Sequence, residues 1–412
     1  MKKNFLTGLL GGIGGTLALI AITGVIYVSV EGSKINGLND VKAAVIDQNE
    51  EAVPYEDIVN KLTTLEGLVD YYYLNDTDKA AYADGIYKGF IDTLDDPYSV
   101  YYTAEEYSAL QESSSGLYCG IGATVSQDPD TGIITIVKPF ENGPAYKAGI
   151  LPGDILYKVD KVEVTGDDLS AVVSKMKGTA GTKVTITVVR EGEDDPIDVT
   201  IARAQIEVPT IEYKMLSGKI GYIIISEFDE VTVAQFKAAV TKLEKQGMKG
   251  LVVDVRDNPG GLLDSVVQIL DRLLPKELIV YTEDKYGNRV EENAEDAKKI
   301  KVPMAVLING NSASAAEIFA GTLQDYKVAT IVGTTSFGKG IVQSVIPLTD
   351  GTAVKLTISK YYTPLGRNIH GIGITPDVEI KLTDKLKQQV VIKIADDNQL
   401  QKAIKIVKEK MK

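Results

Sequence analysis

A serine and a lysine stand out in a chain of 412 residues that contains one histidine. Ser314 lies in a Ser-Ala-Ser-Ala-Ala-Glu run that also contains Ser312 as a competitor, and Lys339 lies in a Phe-Gly-Lys-Gly run. A serine hydroxyl is a weak nucleophile and needs an adjacent base. The histidine, His370, is in a stretch typical of a loop, which makes lysine the better candidate base. A cysteine nucleophile is disfavoured because the single cysteine, Cys119, would need the same histidine.

Ser314 also has a structural interpretation, because the run from Ser314 to Glu317 matches a helix capping box. Both interpretations place the serine at a helix N-terminus, where backbone amides can stabilise an oxyanion. The amide of Ala315 is then the natural first donor. A tight turn that contains Gly260 and Gly261 follows a predicted strand and could supply the second donor.

The surroundings of Lys339 nearly match a phosphate-binding loop, which is the competing interpretation. Such a loop needs Ser or Thr after the lysine and then a helix, whereas Gly340 and a predicted strand follow here. We therefore interpret Lys339 as a base, and its pKa must be lowered by burial or by nearby positive charge. Gln343 lies four positions further on the same face of the strand, where its amide can orient the lysine.

Composition and charge limit the partners. The formal net charge is −13, which argues against a nucleic-acid partner because phosphate binding needs a basic surface. The single cysteine excludes an internal disulfide and leaves the compartment undecided. No group of His, Cys and carboxylate residues has the spacing of metal ligands, so we expect neither metal nor cofactor.

The N-terminus carries a long apolar segment. Residues 6–30 contain no charge and follow Lys2 and Lys3, which predicts a cytoplasmic stub and a transmembrane anchor within residues 1–31. The rest of the chain would then be extracytoplasmic. A cleaved signal peptide usually has a shorter apolar core and an Ala-x-Ala-like exit, which this segment lacks; cleavage would give a secreted protein.

Hydrophobic periodicity divides the remaining chain into four parts. Spacings of three and four predict a helical region over 32–107, and short alternating strands predict a compact α+β module over 108–206. Alternating strands and helices predict an α/β layered core over 207–382 with the candidate residues at strand ends. The lysine-rich amphipathic tail, 383–412, is interpreted as a surface or oligomer-contact helix. The predicted fold class is thus α/β and α+β, multidomain.

The run from Glu141 to Asp160, with its Gly-Pro-Ala, Ala-Gly-Ile and Gly-Asp-Ile-Leu steps, resembles the signature of PDZ domains in bacterial proteases. Such domains bind a protein's C-terminus by strand addition, and amides of a glycine-containing loop hold the carboxylate. The candidate loop here contains Gly120, Ile121 and Gly122. Alternatively these glycines serve only as turn residues. Lys177 could add positive charge to the carboxylate site or be a solvated surface lysine.

Several motifs together resemble the C-terminal processing peptidases, also called tail-specific proteases, over residues 55–382. In that family Ser314 would be the nucleophile, Lys339 the general base and Gln343 its orienting partner. The glycine turn and the amide after the serine would form the oxyanion hole of a crotonase-like layered core. Besides the PDZ signature, the motifs are Asp96-Pro-Tyr-Ser-x-Tyr-Tyr-x-x-Glu-Glu-Tyr107, Asp254-x-Arg-x-Asn-Pro-Gly-Gly261, Ser312-Ala-Ser-Ala-Ala-Glu-Ile318, Phe337-Gly-Lys-Gly-x-Val-Gln343 and Gly371-x-Gly-Ile-Thr-Pro-Asp377.

The resemblance implies a membrane-anchored extracytoplasmic serine endopeptidase that recognises apolar C-terminal tails of proteins and cleaves through an acyl-enzyme. The N-terminal helices and the tail are candidate homo-oligomer contacts. The alternative is a catalytically silent scaffold in which the PDZ domain carries the function. A hydrogen bond between the Ser314 hydroxyl and the Lys339 amine would indicate a competent resting site, and a longer separation would indicate activation by substrate.

Overall fold

The structure is a computed structural model that describes residues 53–295, 300–387, 389 and 392–412. The predicted anchor at residues 1–31 lies outside these ranges and remains a prediction. The helices inside these ranges are all too short or too polar to cross a bilayer.

The predicted helical region, 32–107, is helical in its described part, whereas residues 32–52 lie outside the described residues. Its third helix crosses the predicted boundary between residues 107 and 108, because a capping box between Thr103 and Glu106 starts it and Gly116, at φ 68°, ends it. The elements are α1 (Tyr55–Tyr72), α2 (Ala80–Asp92), β1 (Val100–Tyr102) and α3 (Ala104–Ser115).

The next region is the predicted α+β module, with its own apolar core beneath a sheet in the order β3-β4-β5-β7-β8. Neighbouring strands in this sheet are antiparallel, and β2 and β9 form a separate antiparallel pair. The elements are β2 (Leu117–Gly120), β3 (Ala123–Gln127), β4 (Ile134–Pro139), α4 (Pro144–Lys147), β5 (Ile155–Val159), β6 (Val162–Glu163), α5 (Leu169–Met176), β7 (Lys183–Val189), β8 (Ile197–Ala202) and β9 (Ala204–Glu207).

The core alternates strands and helices, as predicted. Its elements are β10 (Ile211–Leu216), β11 (Ile220–Ile225), α6 (Glu230–Lys245), β12 (Gly250–Asp254), α7 (Leu263–Asp271), β13 (Leu278–Asp284), β14 (Arg289–Asn293), β15 (Met304–Ile308), α8 (Ala315–Asp325), β16 (Ala329–Gly333), β17 (Ile341–Pro347), β18 (Ala353–Tyr362), β19 (Val378–Glu379), α9 (Asp384–Lys387) and α10 (Asn398–Lys410).

The main sheet of the core has the order β10-β11-β12-β15-β16-β19 and is parallel except for β10. Alternate strand residues face opposite layers. Val253 and Val306 pack in the cluster with α6, α7 and α8, whereas Val252 and Leu307 pack in the cluster with α10. The sheet is therefore covered on both faces, which explains why its strands read as continuous apolar runs.

The tail forms an amphipathic surface helix, α10, as predicted, but its apolar face packs within the chain and is not free for an oligomer contact. Its apolar residues Leu400, Ala403, Ile404 and Val407 are buried against the main sheet. A sheet that is apolar on both faces needs a cover on each, and the C-terminal helix supplies the second cover.

A second sheet, in the order β1-β18-β13-β14 with β17 also paired to β18, lies at the end of the core that holds the candidate residues. In it, β1 of the N-terminal region pairs antiparallel with β18, and Val100 lies opposite Lys355. The N-terminal region thus reaches the candidate site through a backbone ladder.

Candidate active site

Ser314 lies on the turn between β15 and α8 and is fully buried. Its φ of 54° and ψ of −117° are strained for a residue with a side chain, and such strain is concentrated at functional sites. Ser314 and Glu317 have the predicted arrangement of a capping box, but among the described residues the Ser314 Oγ has no hydrogen-bond partner. The competing Ser312 instead donates to the Val255 carbonyl at 2.6 Å. The geometry therefore favours Ser314 as the nucleophile.

Lys339 lies on the loop between β16 and β17, and only 4% of it is exposed. Its Nζ is 4.6 Å from the centre of the Tyr98 ring. Burial first, and then the charge of Lys355, lower the pKa of Lys339 to about 7, whereas Asp96 and Glu317 oppose the shift. The strand β17 follows the lysine, which excludes the phosphate-loop interpretation. An amine with this pKa can accept a proton near neutral pH.

Glu317 is a site residue that the sequence presented only as a helix cap. Its buried carboxylate accepts hydrogen bonds from the backbone amides of Ser314 at 2.9 Å, Gly338 at 2.7 Å and Lys339 at 2.8 Å, and from the Ser336 hydroxyl at 2.5 Å. Burial raises the pKa of Glu317, and these hydrogen bonds partly offset the rise. One carboxylate thus fixes the backbones of the candidate nucleophile and base relative to each other.

Gln343 is buried on β17, as predicted, but it does not orient the lysine in this arrangement. Its Nε2 donates to Thr357 Oγ1 at 3.2 Å, and its Oε1 has no hydrogen-bond partner among the described residues. Because the Ser314 Oγ also has none, the Lys339 amine donates a hydrogen bond to neither of them. The resting site therefore lacks the hydrogen bonds from the Lys339 amine to Ser314 and Gln343 that proton transfer requires.

The glycine turn lies against the serine. A Cβ on Gly260 would be 2.7 Å from the Cβ of Ser314, so only glycine permits this approach. The amide of Gly260 donates to Asn258 Oδ1 at 2.8 Å, so this N–H is already used in a hydrogen bond within the turn. The amides of Gly261 and Ala315 are the remaining predicted oxyanion donors.

Arg256, just before this turn, connects it to the C-terminal helix. Its guanidinium forms ion pairs with Asp254 at 2.6 Å and with Asp397 at 2.8 Å, and it donates to Gln399 at 2.9 Å. Asp397 also caps α10 by accepting from the Leu400 amide. The end of β12 and the start of α10 are therefore held together by one partly buried guanidinium group.

The segment Asp96–Tyr102 forms a wall of the lysine site. Ser99 Oγ donates to the Asp96 carboxylate at 2.7 Å and accepts from the Thr357 amide at 3.1 Å. Partial burial opposes ionisation of Asp96, but hydrogen bonds from Ser99 and Thr357 and the charge of Lys339 hold its pKa below the usual value. The sequence showed this segment only as a motif, because its contacts with the core are distant along the chain.

The predicted tail-binding loop lies beside a pocket between the PDZ sheet, α5 and α3. Gly120 ends β2, Ile121 is buried and Gly122 has a φ of 75°. Burial raises the pKa of Tyr118 to about 12, an effect that the nearby amides of Ala123 and Gly122 partly offset. Tyr118 therefore lies beside the amide of Gly122, which belongs to the loop predicted to hold a carboxylate.

Lys177 lines the same pocket and is not a freely solvated lysine. Its amine forms an ion pair with Glu112 of α3 and lies 5.3 Å from the centre of the Tyr118 ring. A cation that could attract a substrate carboxylate is thus paired with an acidic side chain of the N-terminal region.

A buried serine on a strained turn, a buried lysine of lowered pKa and an adjacent glycine turn are the parts of a serine protease. Comparisons with known families agree. Residues 219–380 match Peptidase family S41, residues 135–190 match the PDZ domain, and residues 19–106 match the family described as Activating protease CtpB N-terminal domain.

Individual proteins extend the match over most of the chain. A Carboxy-terminal-processing protease of Bartonella bacilliformis is 39% identical over 356 residues, which cover 84% of this chain and 81% of that protein. A Staphylococcus aureus (strain N315) protein named "Probable CtpA-like serine protease" is 37% identical over 403 residues, 96% of this chain and 77% of that protein. The chain belongs to the C-terminal processing peptidases, and it is a serine protease with a PDZ domain.

The fold also matches a solved structure. A Bacteroides fragilis chain assigned to the S41 proteases superposes with a TM-score of 0.50 at 18% identity, covering 82% of this chain and 92% of that chain. At this level of identity the match shows a shared fold alone.

Proposed function

We propose that the protein cleaves protein substrates through an acyl-enzyme formed on Ser314, with Lys339 as general base. The observation that carries this proposal is the pairing of a buried serine hydroxyl that makes no hydrogen bond with a buried lysine whose pKa is lowered to about 7. The Glu317 carboxylate holds the backbones of both residues.

The reaction proceeds in two halves. The neutral Lys339 amine takes the proton from Ser314 Oγ as that oxygen attacks the scissile carbonyl, and the amides of Ala315 and Gly261 stabilise the oxyanion. The resulting ammonium protonates the leaving amine, which departs and leaves an ester on Ser314. Lys339 then takes a proton from water, which attacks the ester. The ammonium returns that proton to Ser314 Oγ as the C–O bond breaks, and the new carboxyl end is released.

This reaction requires a rearrangement of the resting site. The Lys339 amine must leave the Tyr98 ring and approach both the Ser314 Oγ and the Gln343 Oε1. Both oxygens are buried and have no hydrogen-bond partner among the described residues. An unsatisfied buried polar atom is costly, so these atoms favour the rearranged state once substrate enters. Activation by substrate, in which the Lys339 amine moves to Ser314 and Gln343, accounts for the resting positions of these three side chains.

The PDZ domain is proposed to select substrates by an apolar C-terminal tail. The amides around Gly122 and the amine of Lys177 suit a carboxylate, and apolar side chains such as Ile121, Val125 and Met176 line the pocket beside them. With the apolar segment at residues 1–31 as a membrane anchor, the protease would act outside the cytoplasm on tails presented there. A homo-oligomer would use the exposed apolar side chains of α1, which has no buried residue.

Replacement of each serine tests the proposal against a silent scaffold. Ser314→Ala is expected to abolish cleavage of a protein with an apolar tail, whereas Ser312→Ala, the matched control in the same run, retains cleavage where it folds. Lys339→Arg, which keeps the charge but cannot act as a base near neutral pH, is also expected to be inactive. Cleavage by Ser314→Ala at the parent rate would exclude this nucleophile. Tail binding by the parent without turnover would favour the scaffold.

A further inference from the structure

A second buried lysine lies near the proposed base, and the reaction above does not use it. Lys355 of β18 is 4% exposed. Its amine faces the Tyr102 ring, whose centre is 5.3 Å away, and no carboxylate lies within ion-pair distance of it in the described part of the chain. Lysine is rarely buried without a partner, because an uncompensated charge is expensive to remove from water. This position therefore calls for an explanation beyond packing.

One segment of the N-terminal region covers both lysines. The Tyr98 ring lies 4.6 Å from the amine of Lys339, and the Tyr102 ring lies 5.3 Å from the amine of Lys355. The backbone ladder of β1 and β18, with Val100 opposite Lys355, fixes this segment. The two amines thus face one side of the N-terminal segment.

Lys355 also shares a strand face with the partner of Gln343. It lies two residues before Thr357 on β18, so the two side chains point to the same face of the strand. Thr357 accepts the hydrogen bond of the Gln343 amide. The second amine therefore belongs to the polar cluster that contains the base and its predicted orienting residue.

Few charged groups face these amines. Lys339 is influenced by Lys355, Asp96 and Glu317, and Lys355 is influenced by Asp96. Burial lowers the pKa of both lysines, to about 7 for Lys339 and about 8 for Lys355, and Asp96 opposes both shifts.

We propose that Lys355 is a positioning residue of the Ser/Lys reaction, a buried cation that keeps the amine of Lys339 unprotonated and so able to accept the proton of Ser314. The repulsion between two ammonium groups is large where water is excluded. Of the Lys339 and Lys355 amines, only one is readily protonated at a time, and the Asp96 carboxylate balances its positive charge. This inference rests on the proposed function, since it concerns the same base.

The test compares pH profiles of kcat/KM for the full-length protein on a fluorogenic peptide with an apolar C-terminal tail. The acid limb of the profile is the pH range in which kcat/KM rises as the base loses its proton. Lys355→Met keeps a side chain of similar length and removes the charge. Its acid limb is expected to move up by roughly one pH unit, since a neighbouring like charge lowers a lysine pKa. Activity then falls about tenfold below the limb and is little changed well above it. Lys355→Arg keeps a charge, so its limb does not move upward even if the larger side chain lowers the rate.

The control is Lys360→Met, which removes an exposed lysine from the same strand and is expected to leave the limb in place. A purely structural role for Lys355 would lower kcat/KM equally at all pH values, and an unmoved limb in Lys355→Met would overturn the proposal. Ser314→Ala and Lys339→Ala are measured in parallel. If both are inactive while the limb stays unmoved, the Ser/Lys reaction stands without a role for Lys355; if both remain active, the Ser/Lys reaction itself is wrong.

Discussion

The amine of Lys339 lies 4.6 Å from the centre of the Tyr98 ring, so a residue from the N-terminal region covers the proposed base of the core. The face of an aromatic ring attracts an ammonium group more than a neutral amine. This contact therefore favours the protonated lysine, which is the form that cannot accept a proton from serine. Burial and Lys355 act in the opposite direction.

Replacement of Tyr98 is expected to change the pH dependence of cleavage. In Tyr98→Leu the apolar volume is largely kept and the ring is lost, so the pKa of Lys339 falls and the acid limb of kcat/KM moves down by about half a unit to one unit. Tyr98→Phe retains the ring and serves as the control, with a limb close to that of the parent. Equal limbs in all three proteins would show that the ring has no influence on the base.

Loss of the Glu317 carboxylate is expected to reduce both activity and stability. The Glu317 carboxylate accepts four hydrogen bonds. In Glu317→Gln the side-chain NH2 group faces backbone N–H groups, so some of these hydrogen bonds are lost. We expect the free energy of unfolding to fall by about 1–3 kcal/mol. The serine and lysine loops then separate, and we expect kcat to fall roughly a hundredfold.

Urea unfolding and steady-state kinetics measure these two effects. Glu230→Gln is the matched control, because Glu230 occupies the first turn of α6 and is exposed. A Glu317→Gln protein with parental kcat would show that the carboxylate is only a helix cap.

The position of α10 predicts that the C-terminal helix is part of the folded core. Leu400 is 1% exposed against the main sheet, so Leu400→Ala is expected to lower the free energy of unfolding by about 2–5 kcal/mol. Lys405→Ala changes an exposed residue of the same helix and is expected to have little effect. Equal urea midpoints for the two variants would contradict the burial of this helix.

Features that depend on short stretches of chain were predictable. The sequence pattern predicts the strand Met304–Ile308 and a helix near Leu169–Met176, and the structure shows both. An apolar run bounded by turn residues specifies the first, and three- and four-residue spacing specifies the second. The motifs likewise located Ser314 and Lys339 at strand ends, because an α/β core places its loops there.

Features that depend on distant contacts were not predictable. No strand was predicted over Ala353–Tyr362, whose lysines, threonine and serine interrupt the apolar pattern and whose partners lie far along the chain. The roles of Glu317, Lys355 and Asp397 follow from what each one faces across the fold. A single sequence does not contain that information for polar residues, whose partners are set by tertiary structure.

The ion pair between Lys177 and Glu112 predicts that the proposed tail-binding site is partly blocked by its own chain. A substrate carboxylate must compete with Glu112 for the amine of Lys177, so Glu112→Gln is expected to bind an apolar-tailed peptide about two to five times more tightly. Lys177→Gln is expected to weaken binding, whereas Lys175→Gln, an exposed neighbour on α5, has little effect. Fluorescence anisotropy in a Ser314→Ala background measures these affinities without cleavage. The gain must disappear for a peptide whose C-terminus is amidated, and a gain that persisted would show that the carboxylate is not the competing group.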